Sequence, residues 1–584
     1  MAQDDDFELP PTAATTTAAR PNRISLPRKR PRREDAGPRR DSRLRATRVA
    51  LAAVMARQVL DEAQIRLLAG HVRTEDRQRP ARATRVSGAP AHVERGSALT
   101  FTPARIRAAL LAALCLIVVG LSSSASAQEA GPTMLDSRLG VREVASGLTT
   151  PTSIAFLGAN DFLAIEKNTG EVKRVVNGAV QSTVLDLAVN FGSERGLLGI
   201  ALHPNFPANP SVYLYWTEST TSSDTNVLNQ TTLLGNRVDR FVWNGSSLTF
   251  ANNIVRIRAI QEDAGQPARG NHDGGPIAFG FDGKLYVFTG DVGRRGHLQN
   301  LPCGPTATCP GPTVPDDQFG GPEPDNAHRT GVILRLNDDG TAPADNPFFA
   351  AGATMGGEVG PNVQKIFSYG HRNSFGLTID PESGGVWLQE NGDDSFSELN
   401  RVEPGMNGGW VQIAGPVERV AEFKQIETTF GGQNLQQLRW PPTNIADTPA
   451  EALSRLFMLP GAHYSDPEFS WKWEVAPAGI GFVRGPGLGP SFEGDLFMGA
   501  ATPILEGGYL FHFNITGNRA KVGVDDPRLQ DRVADNLAKH EITESESLLI
   551  GRDFGVATDI ETGPNGDLFV VSLTNGAVYE IFRR

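Results

Sequence analysis

One phrase, written six times from residue 152 onward, limits what this chain can fold into. Each copy runs from a small residue through an apolar alternation to a turn of Pro, Gly and Asp, then into an apolar, aromatic-rich strand. The copies open at Thr152, Leu198, Gly275, Phe375, Ala478 and Thr558. The copy from Gly275 to Phe288 is the cleanest, with Asp282-Gly283 between its two apolar runs. An Asp-Gly or Asn-Gly pair in that setting is a strong local hairpin signal, because both residues tolerate the positive φ that a tight turn needs. A third strand usually follows, as at Gly170 to Val176, Gly331 to Leu336 and Gly576 to Phe582. Six such sheets cannot each bury a face alone, but set radially they cover one another. The expected fold is therefore all-β: a six-bladed β-propeller with long inter-blade loops. A two-sheet sandwich would leave the sixfold phrase unexplained. The surplus over about 45 residues per blade falls in 293–330 and 415–475, which lack strand alternation; such insertions gather on one face and commonly carry function.

Composition agrees with many short elements: 63 Gly and 40 Pro in 584 residues exclude a helical bundle. Charge is split unevenly. Residues 1–107 hold 22 Lys and Arg against 12 Asp and Glu, and residues 108–584 hold 33 against 54. So acidic a body excludes sequence-independent nucleic-acid binding, which needs cation density. Arg105 and Arg107 precede the apolar run Ala108 to Leu121, which ends in small residues up to Ala127. That pattern is a signal peptide over 105–127, cleaved after Ala127. Its run of about 14 residues falls short of the ~20 that a membrane span needs. The expectation is a periplasmic or secreted protein with no stable membrane insertion after cleavage. Residues 1–104, rich in Arg, Ala and Pro, are expected to be a disordered extension or an over-extended start. Residues 128–584 would be the propeller. In an oxidising compartment Cys303 and Cys309 are expected to close a small disulfide loop.

Three polar clusters stand at blade entries, where a propeller presents residues around its central channel. They are Gly192 to Gly199, Gly270 to Gly275 with Thr289 to Asp291, and Ser368 to Gly376 with Glu390 to Asp394. A core does not require a His flanked by Asn, Asp and Gly. His272 is therefore the candidate general base, with Asp291 on the neighbouring strand as its orienting carboxylate. Gly274 and Gly275 are expected to let the backbone approach a ligand closely. His203, His328 and His371 are read as structural.

The strings Glu194 to Phe206, His272 to Val287 and Tyr369 to Asn373 resemble the glucose/sorbosone dehydrogenase family, soluble aldose dehydrogenases that depend on pyrroloquinoline quinone (PQQ). Gly331 to Gly340 and Glu398 to Trp410 resemble it too. The resemblance implies a six-bladed propeller with PQQ over the channel and calcium holding the quinone. It implies that His272 takes the proton of a sugar's anomeric hydroxyl while hydride passes to the quinone, with Asp291 in support. Arg372 would stabilise charge on the reduced quinone, where a permanently charged donor fork suits developing oxyanion character. Asn373 would lie beside it on the cofactor, and Glu194 occupies a further PQQ-contacting position. Calcium would be held by the backbone carbonyls of Gly392 and Asp393, oxygen donors of the kind it favours.

Against the family pattern, Glu194 stands for a Gln, Glu474 for a Thr and Asp393 for a Pro. No Lys occurs at Ala500 to Leu505, and Val556 to Asp559 supplies no Arg at the entry to the sixth copy. PQQ carries three carboxylates, so these changes weaken its electrostatic hold. Two functions remain open: an exported PQQ- and calcium-dependent oxidoreductase acting on aldoses or related polyols, and a non-catalytic binding or adhesion propeller that has lost PQQ. A propeller lactonase would need a ring of Asp, Asn and Glu ligands in separate blades, which the sequence lacks. With no Cys-x-x-Cys-His haem motif, the oxidoreductase would hand its electrons to a separate acceptor.

Overall fold

Each repeated phrase forms the inner hairpin of a sheet. The computed structural model describes residues 131–260, 268–293, 329–430, 442–500 and 507–584. The expected N-terminal extension, signal peptide and Cys303–Cys309 disulfide, and His328, lie outside the described residues. The first sheet runs Pro151–Gly158, Asp161–Glu166, Glu171–Val176 and Ala179–Asp186 in chain order. The second runs Leu197–Leu202, Ser211–Thr217, Asn236–Trp243 and Leu248–Ile257. The third begins with Ile277–Phe279, Leu285–Thr289, Val332–Leu336 and Ile366–Tyr369. The fourth holds Leu377–Ile379, Val386–Glu390, Ser395–Val402 and Phe469–Trp473, and the fifth Pro477–Phe482, Leu496–Ala500, Tyr509–Thr516 and Leu549–Arg552. The sixth joins Ala557–Thr562, Leu568–Ser572 and Ala577–Arg583 to Leu139–Ser146 from the other end of the described chain. That pairing closes the ring.

The innermost strands touch one another in sequence, first to second and on to the sixth, which returns to the first. The small residues of the repeated phrase make this convergence possible. A Cβ on Gly199 would lie 2.2 Å from the Gly275 carbonyl oxygen of the next sheet, and one on Gly376 would lie 2.6 Å from that of Ala478. Buried apolar side chains collect between successive sheets. Tyr213, Tyr215 and Val238 meet Leu285 and Val287, and Trp387, Leu399 and Phe469 meet Phe482, Met498 and Phe511. Ile154, Phe162 and Val175 of the first sheet meet Phe569, Val571 and Val578 of the sixth.

The fold is an all-β propeller. Among the described residues the hydrogen-bonded sheets number six, but counted as blades there are five, against the six expected. The sheets are unequal: the third and fourth have innermost strands of only three residues each. The third and fourth also acquire short parallel strands at their outer edges, Met406–Asn407 with His463–Tyr464, and Val533–Ala534. The segment 415–475, expected to lack strands, carries the helices Val420–Phe430 and Pro449–Ser454, and also the strand Phe469–Trp473, which completes the fourth sheet. Five consecutive residues with aromatic rings at every second position had too little length to announce themselves as an edge strand. No helix among the described residues is long and apolar enough to cross a membrane.

Candidate active site

In an antiparallel hairpin, the residues that enter the first strand and those that leave the second lie at the same end. Glu194 enters the second sheet, His272 and Asp291 flank the inner hairpin of the third, and Arg372, Asn373, Gly392 and Asp393 flank that of the fourth. Clusters far apart in sequence thus meet at one mouth. Glu194 joins all three: its Oε2 accepts the backbone N–H of His272 at 2.7 Å and the side-chain N–H of Asn373 at 3.0 Å.

His272 is buried and sits at φ 58°, a left-handed conformation that a side-chain-bearing residue holds only when its surroundings fix it. Its Nδ1 lies 2.6 Å from Asp291 Oδ1, which also accepts the backbone N–H of Gly293 at 2.7 Å. Asp291 Oδ2 accepts the indole N–H of Trp410 at 2.9 Å. The backbone N–H of Asp291 donates to the carbonyl of Arg372 at 2.8 Å. Asp291 therefore holds the imidazole with its side chain and the arginine's backbone with its own. The missing side chains of Gly274 and Gly275 make room for the protein itself. A Cβ on Gly274 would meet the Phe288 carbonyl at 2.6 Å, and one on Gly275 the Leu198 side chain at 2.5 Å.

The Arg372 guanidinium is buried, donates to the Asn391 carbonyl at 2.9 Å, pairs with Asp393, and lies 5.5 Å from the Trp410 ring centroid. Burial opposes its charge, but Asp393, Asp291, Glu474 and Glu427 outweigh that and raise its pKa. Its backbone N–H donates to Glu390 at 3.0 Å. His371 is fully enclosed between Ser368 and Glu390, and His203 accepts a backbone N–H in its own turn. Beneath Glu194, burial pushes Lys167 down to about 8 and Asp273 up to about 7. Glu474 is turned inward, accepting from Ser397 Oγ at 2.5 Å and from the Ala476 N–H at 2.6 Å.

Trp410, Glu427 and Lys539 belong to this neighbourhood and were not singled out from sequence, whereas Asn391 lies within the cluster Glu390 to Asp394. Trp410 ends a string already quoted for its resemblance, Gly-Gly-Trp after Met406-Asn407, which was the available signal. Lys539 had none, since it comes from a connection far along the chain.

Arg372 Nε and Asn373 Oδ1 are among the buried polar atoms here that have no hydrogen-bond partner among the described residues. A donor and an acceptor on adjacent residues beside His272 fit the polar edge of a planar quinone. Calcium fits less well. The Asp393 carbonyl accepts the Lys539 ammonium at 2.8 Å, and the Asp393 carboxylate is paired with Arg372. The Gly392–Asp393 turn as arranged does not offer a dication the oxygen cage it needs.

The model of the glucose/sorbosone dehydrogenase family matches residues 148–446, just over half of the chain. The chain belongs to that family. The family is one of sugar-oxidising dehydrogenases. An uncharacterised protein of Synechocystis is 28% identical over 443 residues, covering 74% of this chain and 83% of that one. Quinoprotein glucose dehydrogenase B of Acinetobacter calcoaceticus is 31% identical over 277 residues, covering 47% of this chain and 52% of that one. Among solved structures, the soluble aldose sugar dehydrogenase of Escherichia coli in its apo-form aligns with 76% of this chain and 100% of its own, at 22% identity and a TM-score of 0.50. That likeness speaks to the fold.

Proposed function

We propose that the protein is an exported, PQQ-dependent dehydrogenase that oxidises aldose sugars or related polyols and passes the electrons to a separate acceptor. The observation that carries this reading is Asp291, which binds His272 through its carboxylate and the Arg372 backbone through its N–H. With Nδ1 donating to Asp291, the neutral imidazole keeps its basic lone pair on Nε2. His272 Nε2 then takes the proton of a substrate hydroxyl, leaving the carbon beside it ready to give up hydride. When bound, PQQ supplies the two-electron oxidant that receives that hydride. Atoms and charge balance: one proton goes to His272, one hydride leaves carbon, and the hydroxyl carbon becomes a carbonyl. Arg372, permanently charged and screened from water, is the group on this chain suited to negative charge that develops on a neighbouring oxygen.

Export rests on the apolar run Ala108 to Leu121 and the small residues up to Ala127. Nothing in this mechanism is routed through calcium. The second reading, a binding or adhesion propeller without PQQ, draws its support from Glu194, a carboxylate placed beside Asn373 where an acidic cofactor would approach. Reconstitution separates the two. The purified protein, incubated with PQQ, should reduce an artificial electron acceptor in the presence of aldoses. Failure to bind PQQ at micromolar concentration would leave the binding module as the better reading.

A further inference from the structure

Lys539 stands in a connection after the fifth sheet's third strand, far in sequence from the inner hairpin it reaches. Its ammonium donates to the Asp393 carbonyl and to Asp394 Oδ1, both at 2.8 Å. Only 19% of its side chain is exposed. The segment that delivers it is pinned on both sides. The N–H of His540 donates to the Glu474 carbonyl at 2.8 Å, and Asn536, itself buried, accepts the Glu544 N–H at 3.1 Å. A long, flexible side chain is thus held in one place by the backbone on which it stands.

The surrounding acids are already matched. Asp393 pairs with Arg372 and Asp394 with Lys539. Glu427 Oε1 accepts the N–H groups of Asp394 and Ser395 at 3.0 and 3.1 Å, and the Ser395 hydroxyl at 2.8 Å. Glu474 is turned to Ser397 and Ala476. A calcium ion needs about six to eight oxygens at 2.3–2.6 Å. On the Asp393 carbonyl it would share one oxygen with the ammonium, two cations in mutual repulsion.

We propose that Lys539 is a built-in cation of this site, taking the Asp393 carbonyl and the Asp394 carboxylate that a calcium ion would otherwise use. It also acts as a positioning residue: by fixing the 393–394 turn it sets the Asp393 carboxylate against Arg372. The site is in this respect independent of calcium, and removal of the ammonium should create a calcium dependence that the native chain lacks. The inference concerns the same mouth as the proposed dehydrogenase site, but its test needs neither PQQ nor sugar.

The test compares the full chain with Lys539→Met and Lys539→Arg, without PQQ, in chelator and in millimolar calcium. Melting temperature and calcium retained in equilibrium dialysis are the two readouts. The native chain and Lys539→Arg should melt at the same temperature in both buffers. Lys539→Met should melt lower than the native chain in chelator, recover in calcium, and retain one more calcium per chain than the native protein. Equal calcium retention by the native chain and Lys539→Met would overturn the proposal, whether that retention is zero or one. If Lys539→Met does not fold in either buffer, the native chain decides: calcium that raises its melting point and is lost in Asp394→Asn would place the ion at this turn and overturn the inference. No calcium effect on the native chain together with native behaviour of Lys539→Arg would support it. Absence of sugar oxidation would count against the proposed function and leave these outcomes unaffected.

Discussion

Trp410 donates its indole N–H to Asp291 Oδ2 at 2.9 Å, and the same ring lies under the guanidinium of Arg372. The contact ties the long excursion after the fourth sheet's third strand to the inner hairpin of the third sheet. It saturates the side of Asp291 that His272 does not use. A buried carboxylate with one oxygen on an imidazole and the other on an indole has little freedom to turn, so the imidazole is held in one orientation. The base and the arginine are therefore linked both through the Asp291 backbone and through the Trp410 ring.

If His272 is the base, its removal should abolish turnover and spare binding. His272→Ala is expected to lower kcat by about 10²–10⁴-fold, the usual worth of a positioned base. PQQ titration of the same variant should follow the native curve. Full turnover in His272→Ala would remove the imidazole from the mechanism.

Trp410→Phe deletes the indole N–H together with two ring carbons of a buried side chain. Asp291 Oδ2 would be left buried without its donor, and a buried group so orphaned costs about 1–3 kcal/mol. We expect a loss of that size in urea unfolding at an unchanged denaturant slope, and a fall in kcat larger than any change in KM. Unaltered stability would mean that water or another donor satisfies Asp291.

How much of this was legible in the sequence depended on the range of the interaction involved. The inner hairpins were plain, since Asp282-Gly283 and Asn565-Gly566 mark their own turns, at φ 70° and 82° for the two glycines. His272 and Asp291 could be paired because a single hairpin separates them, and antiparallel pairing returns the chain to the same end. The strand Phe469–Trp473 was hidden, because its partner Ser395–Val402 lies a long insertion away and nothing local marks it as an edge. Lys539 is the extreme case. Its two oxygen acceptors are 146 and 145 residues distant, and no motif links a lone lysine to a turn in another sheet. The regularity of the blades was also overstated by the phrase: six similar strings give six sheets, yet short inner strands make them unequal.

Glu194→Gln offers a test of the acidic substitution at the mouth. A Gln carbonyl oxygen can accept from both the His272 N–H and the Asn373 amide, so the local bonds survive while one negative charge is lost. Binding of PQQ, a tricarboxylate, should tighten by roughly tenfold or more at low ionic strength, and by less as salt screens the mouth. Fluorescence or absorbance titration at two salt concentrations reads both effects. Unchanged affinity at low salt would place the cofactor away from Glu194.

Stability should also depend on pH, with a sign that runs opposite to ordinary acid denaturation. Burial raises Asp273 from 3.8 to about 7, and burial with the nearby Asp393 and Asp394 raises Glu427 from 4.5 to about 8. In the window between each pair of values the folded chain binds more protons than the unfolded one. The contribution of these groups is thus complete below pH about 4 and is lost as pH rises through about 7 to 8. Each can contribute at most about 1.4 kcal/mol per pH unit inside its window. Asp273→Asn keeps an acceptor for the Asn236 amide, which reaches Asp273 Oδ1 at 2.8 Å, and cannot ionise. Urea unfolding at about pH 5 and about pH 8 should therefore show the native chain losing stability toward the higher pH, and Asp273→Asn losing less. Equal losses in the two proteins would mean that Asp273 is ionised in the folded chain throughout that range.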